Sequence, residues 1–238
     1  MEIMAQLNYF TFNGHSAADY GLLVTGRRIF NAPARRVEKY AVAGRNGDVL
    51  IERGAFDNII IQYDVAVTSS FATNATAVKN WLQSSNGYMR LTDTYDTTHY
   101  RMAAMYQSIE FTMTALNREG QATIEFDCKP QRFLLTGEST TTFNSSGSIS
   151  NPSQMASKPL LRVYGTGNVT VAGTTFTVNS VNTYVDVDCE AQQCYKGTTN
   201  CNNNVTVNEF PTIPSGSQTI TLGTGITKII VTPRWWEL

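Results

Sequence analysis

Three groups of residues in this 238-residue chain have types and spacings that permit chemistry. Asp186, Asp188 and Glu190 alternate along VDVDCE, so a strand there sets three carboxylates on one face. Such a face suits a calcium ion or the acid and base of a glycoside hydrolase. Asp93 and Asp96 bracket Tyr95 in one loop and form a second carboxylate pair. Solvated acids on an exposed sheet face are the competing account of both. Cys189, Cys194 and Cys201 lie close together, as zinc ligands do, yet there is no C-x-x-C pair and both histidines, His15 and His99, are far away in sequence. A disulfide between two of the three, or free thiols, are the alternatives, and Cys128 in IEFDCKP reads as a buried thiol. No metalloprotease, nucleophile-elbow or P-loop motif is present. Catalytic, cofactor-binding and metal residues are therefore all expected to be none.

Composition narrows the class. Hydrophobic residues make up 42% and charged residues 16%, which is enough apolar side chain for one large or two ordinary cores. Eighteen basic residues face 19 acidic ones without a run of either sign, so the basic stripe of a nucleic-acid binder is missing. The start, MEIMAQLNYF, is acidic and mixed, and no long apolar stretch follows it, so neither a leader nor a membrane span is expected. The sequons at Asn74, Asn144, Asn168 and Asn204 then carry no weight, and a reducing folding compartment is expected.

The elements that must position these residues are mostly strands. Asn58 to Thr68 is β-branched, with Tyr63, Val65 and Val67 alternating against Asp64 and Ala66. Thr73 to Ser84 puts Ala75, Val78 and Leu82 at helical spacing, with Thr73 or Asn74 as N-cap and Trp81 as a core anchor beside that stripe. Gly87 ends the helical region, and Tyr88 to Leu91 and Tyr100 to Met105 read as strands joined across DTYDTTH. From Gly137 to Gln154 the chain turns to Ser, Thr, Gly and Asn, the composition of a linker. The expected organisation is thus a first domain over 1–136, a linker over 137–154 and a second domain over 155–238. In the second, Leu160 to Tyr164, Val169 to Val171, Thr175 to Val178, Tyr184 to Val187, Val205 to Val207, Gln218 to Leu222 and Lys228 to Thr232 are short strands punctuated by turns, the pattern of a β-sandwich. Gly165-Thr166-Gly167 and Gly223-Thr224-Gly225 open no helix and read as turns.

Two segments stand out as candidate contact sites. In AGRNGDVLI, Asn46-Gly47 is a hairpin cue for a type I′ turn, which sets Arg45 opposite Asp48. Gly44, Arg45, Asn46, Gly47 and Asp48 form the candidate interface or lumen hairpin. The chain closes on PRWWEL, where Trp235 and Trp236 point to opposite faces if the last strand continues, one packed and one exposed or at a contact.

These segments share an order. FNGHSAADYGL, AGRNGDVLIERGAFDN, WLQSSNGYMRLTDTYDTTHYRMA and FDCKPQRFL, followed by NPSQMASKPLLRVYGTG, CEAQQCYKGTTNCNNNVTV, FPTIPSG and PRWWEL, resemble the distal tail proteins (Dit) of phages with long non-contractile tails, across nearly the whole chain. That resemblance implies a mainly β protein: a ring-forming, tail-tube-like N-terminal domain with one packed helix, then a galectin-like sandwich. It implies a structural virion component and no enzyme. The expected assembly is a homohexameric ring at the tail tip, put together in the host bacterial cytoplasm. Its expected partners are the tail tube protein, the tape-measure and tail-associated proteins and a receptor-binding protein, with DNA passing through the channel without specific binding and no insertion into a membrane. Two other functions compete. A carbohydrate-binding sandwich would stack sugars on Tyr184, Tyr195, Trp235 and Trp236, and a glycan hydrolase would use the carboxylates above.

Overall fold

A computed structural model describes residues 7–26, 31–114 and 118–238; the first six residues of MEIMAQLNYF, on which the expectation of no leader rests, lie outside them. The chain divides into two compact units, one ending at Arg132 and also taking in Leu238, the other Phe133–Glu237.

The first unit contains β1 (Phe10–Phe12), β2 (His15–Ser16), β3 (Leu22–Val24), β4 (Arg35–Ala41), β5 (Asp48–Phe56), β6 (Ile59–Val67), α1 (Phe71–Gln83), β7 (Met89–Asp93), β8 (Asp96–Ala104), β9 (Thr112–Met113) and most of β10 (Gly120–Leu134). Its main sheet runs β2-β1-β7-β8-β10-β6-β3, with β9 on β10. Period-two patterning decides which face is buried. In β6, Ile59, Ile61, Tyr63, Val65 and Val67 point inward while Ile60, Gln62 and Asp64 point out, and β10 answers with Ala122, Ile124, Phe126 and Cys128. The register sets Ile124 opposite Tyr63 and Phe126 opposite Ile61, so large side chains meet across the ladder.

Helix α1 covers this face with Phe71, Ala75, Val78, Trp81 and Leu82. Trp81 stacks on Tyr20 and Phe10, with ring centroids 4.6 and 5.8 Å away, and donates its indole N–H to the Phe12 carbonyl. The helix begins two residues earlier than its polar residues suggest. Ser70, at φ 47°, precedes it without a side-chain cap, and Asn74 lies inside the helix, donating to the Ser69 carbonyl. Burial of Phe71, which meets Phe111 edge-on, sets this start in preference to a capping residue.

The second unit is a β-sandwich. Its strands are β11 (Thr141–Phe143), β12 (Gly147–Asn151), β13 (Leu160–Gly165), β14 (Gly167–Val171), β15 (Thr174–Val178), β16 (Val185–Asp188), β17 (Gln193–Lys196), β18 (Thr199–Asn200), β19 (Val205–Thr206), β20 (Gly216–Leu222), β21 (Ile226–Thr232) and β22 (Trp236–Glu237). One sheet runs β11-β21-β13-β16-β17-β18, the other β12-β20-β14-β15-β19. Leu161, Val163, Val187, Ile229 and Val231 from the first pack with Val169, Val171, Phe176, Val178 and Ile220 from the second.

The expected linker over 137–154 is absent. β11 pairs with β21 and β12 with β20, each at the edge of its sheet. Backbone ladders hold this segment, and Ile149 is the one large apolar side chain among 137–154 that is buried, so its composition hides its strands. Polar anchors do the rest: buried Asn151 donates to the carbonyls of Met155 and Ile213, both at 2.9 Å. Among the described residues no helix is long and apolar enough to cross a membrane.

Candidate functional site

β4 and β5 form a two-stranded ribbon separate from the main sheet. Ala41 pairs with Asp48, leaving a six-residue tip, Val42 to Gly47. The expected two-residue type I′ turn at Asn46-Gly47 is therefore corrected. Asn46 does not take the positive φ that such a turn demands, and the Arg45 amide donates to the Val42 carbonyl at 3.1 Å, so the tight turn is Val42–Arg45. Gly44 is its third residue at φ 78° and Gly47, at φ 79°, returns the chain to β5. Arg45 does not face Asp48; the ladder partner of Asp48 is Ala41.

Every residue from Ala41 to Asp48 is exposed, and so is much of the ribbon's apolar surface. Leu50 is 58% and Tyr40 49% exposed, with Val42 and Ile51 close behind. Ion pairs run along the ribbon: Arg53 and the Tyr40 hydroxyl both donate to Glu38, Arg36 binds Asp57 at 2.6 Å, and Arg35 lies 3.5 Å from Glu52. The Tyr40 and Arg53 donors hold the Glu38 carboxyl below its ordinary value, and Glu38 in turn raises Tyr40. A two-stranded ribbon in water is marginal by itself. Its exposed apolar side chains and six-residue tip make it the most conspicuous candidate contact surface in the first unit.

The terminus is a second packed feature. β21 stops at Thr232 and Arg234 turns the chain at φ 55°, so PRWWEL does not extend the last strand. Trp235 enters the sandwich core, while Trp236 is half-buried with its indole N–H on the Ala156 carbonyl at 2.9 Å. Gly137 is required beneath it, because a Cβ there would lie 2.4 Å from the Trp235 amide nitrogen.

Of the three carboxylates expected on an exposed face, Glu190 is exposed, 3.4 Å from Lys158, and the other two are not. Asp186 and Asp188 are buried in β16. Arg162 grips Asp186 through two bonds of 2.7 and 2.9 Å, and Arg234 grips Asp188 with the same two distances. Asp188 also accepts the N–H groups of Glu190 and Ala191. Burial alone would raise the Asp188 carboxyl, but Arg234 and these amides outweigh it and hold it below the usual aspartate value. Asp93 accepts the amides of Tyr95 and Asp96 and the Tyr63 hydroxyl, which makes it the organiser of the β7–β8 turn. Asp96 binds His99 at 2.9 Å and Thr98; burial opposes its charge, yet these donors keep it below its ordinary value.

The four cysteines are free; His15 and His99 belong to the first unit and the cysteine trio to the second. Among the described residues no group of three or more His, Cys, Asp or Glu side chains is placed to hold a metal. Burial, with Asp188 adjacent, pushes the Cys189 thiol up to about 12, and burial lifts Cys194 to about 11, so both are overwhelmingly protonated at neutral pH.

The aromatic platform expected for sugars is incomplete, although the register sets Tyr184 and Tyr195 on one sheet face. Trp235 is core, and Tyr184 has the Arg162 guanidinium 4.3 Å and the Lys196 ammonium 5.2 Å from its ring centre. Sequence reasoning missed Arg162 and Arg234, the partners that neutralise the carboxylates. Their signal is faint, an arginine 24 residues before Asp186 and another just after Pro233.

Neither a protein family model nor a curated protein matches the chain. Solved structures do. The crystal structure of the SPP1 Dit (gp 19.1) protein, described as a paradigm of the hub adsorption apparatus in phages infecting Gram-positive bacteria, aligns with TM-score 0.72 at 14% identity, covering 98% of this chain and all of that one. A chain of the phage p2 baseplate in its activated conformation aligns with TM-score 0.52 at 12% identity, covering 94% and 97%. Over nearly its whole length, through both units, the chain has the Dit fold.

Proposed function

We propose that the protein is a structural component of a phage tail tip, a ring-forming hub that joins the tail tube to the tail-associated and host-adhesion proteins. The observation that carries this is the end-to-end alignment with the SPP1 hub protein, in which both chains are covered almost completely. The hub is a homohexamer, with its partners as named above, and DNA passes through its centre. A near-neutral chain without a basic stripe suits such a conduit, because phosphate contacts would retard the DNA. In this scheme the β4–β5 ribbon, with Gly44 to Asp48 at its tip, reaches a neighbouring subunit or the lumen and covers Tyr40, Val42, Leu50 and Ile51 there. A closed ring needs a heterologous contact, one surface meeting a different surface of the next copy, and a projecting ribbon supplies one side of it.

The hydrolase alternative is weakened, since two of its candidate carboxylates, Asp186 and Asp188, are committed to arginines. Electron microscopy of the purified protein, alone and with its tail partners, tests the hub proposal through the symmetry of the particles.

A further inference from the structure

The three cysteines of the second unit are not equivalent. β17 and β18 pair Tyr195 with Asn200 and Lys196 with Thr199. Carried one step further, that register places Cys194 directly opposite Cys201, and the Cys201 amide donates to the Cys194 carbonyl at 2.8 Å. Directly opposed residues of a hydrogen-bonded antiparallel pair have Cα atoms about 5.5 Å apart. A disulfide spans roughly 4.4–6.8 Å. Side chains of opposed residues share a face, and here that face is the core side, where Cys194 is buried and Cys201 packs half-buried against the same cluster. Cys189 also faces the core, but the ladder sets Val187 opposite Cys194, so Cys189 meets Cys194 only on the diagonal.

We infer that Cys194 and Cys201 are a disulfide site: the pair closes when the protein leaves a reducing compartment and staples β18, the outermost strand of its sheet, to β17. The partial exposure of Cys201 makes it the entry point. Its thiolate attacks a low-molecular-weight disulfide, forming a mixed disulfide and releasing one small thiol. Cys194 then gives up its proton, attacks the Cys201 sulfur and expels the second small thiol. Two protein thiols are oxidised, one small disulfide is reduced, and the released thiols carry both protons. The raised pKa of Cys194 makes the second step slow at neutral pH and faster as pH rises. The passage out of the cell rests on the tail proposal; the chemistry does not.

The test uses the purified full-length protein, incubated with oxidised glutathione, denatured in N-ethylmaleimide and digested without reductant. The expected result is the loss of two of the four alkylatable thiols, a linked peptide joining Cys194 to Cys201, and a rise in the melting midpoint of the second unit on the order of 5 °C. Cys201→Ser abolishes the link and Cys189→Ser leaves it intact. Four thiols still alkylated, a link that includes Cys189, or a glutathione adduct on Cys201 that never resolves overturns the inference. Because oxidant is added to isolated protein, such a result leaves the hub proposal standing or falling by its own microscopy.

Discussion

Replacing Asp188 by alanine tests the conversion of a suspected catalytic carboxylate into a structural one. The Asp188 side chain is 10% exposed and that of Arg234 27%, so solvent screens the pair little. Removing the carboxylate strips Arg234 of two charge-assisted bonds and leaves the amides of Glu190 and Ala191 without their acceptor. Breaking one partner of a buried ion pair costs about 3–5 kcal/mol. Asp188→Asn keeps a side-chain oxygen for the amides and loses mainly the charge, which places it nearer 2 kcal/mol. The pH dependence has a definite sign. Because the folded pKa of Asp188 is depressed, its contribution is complete above the unfolded value of about 4 and fades as pH falls below that toward the folded one. The gap between wild type and Asp188→Asn is thus widest near neutrality and narrows in acid. Urea titration followed by tryptophan fluorescence reads this, with Trp235 and Trp236 reporting the second unit and Trp81 the first. An Asp188→Ala cost under about 0.5 kcal/mol, the range of ordinary surface changes, would refute the reasoning.

Other expectations follow from the same geometry. Trp235→Ala costs about 3–5 kcal/mol as a large core deletion, whereas Trp236→Ala, half-buried with one indole bond, costs clearly less; parallel denaturant curves decide, and equal costs contradict the placement. At the ribbon tip, Gly44→Val destabilises by roughly 1–2 kcal/mol through its positive φ while Asn46→Ala is nearly neutral, which amide exchange of the ribbon would report; a larger effect at Asn46 would restore the type I′ turn. Arg45→Glu leaves the circular dichroism spectrum and melting curve unchanged, since exposed charges contribute about 1 kcal/mol or less, but lowers the yield of assembled rings; full ring yield would return the tip to the solvent surface.

How much of this was legible in the sequence depends on where each residue finds its partner. Periodicity is local, so β6, the apolar stripe of α1 and most strands of the sandwich could be read directly, and Trp81 could be recognised as a core anchor. β11 and β12 could not, because edge strands are held by ladder bonds to β21 and β20, some 70 to 90 residues away, and show few apolar side chains. Asp186 and Asp188 looked exposed for the same reason. Alternation in β16 gave their direction correctly, but the arginines that cover them come from β13 and from beyond β21. The ribbon tip failed differently: Asn-Gly is a strong local cue, yet the register sets Asp48 opposite Ala41, four residues before the expected Arg45, and Gly44 serves the tight turn.

The central claim, that this chain is the subunit of a tail-tip ring, is tested most directly by negative-stain class averages of the protein, assembled alone or with its tail partners. The account predicts closed rings with six-fold symmetry and an open centre. Assembled tails in which the protein forms particles of another symmetry, or from which it is missing, would contradict it.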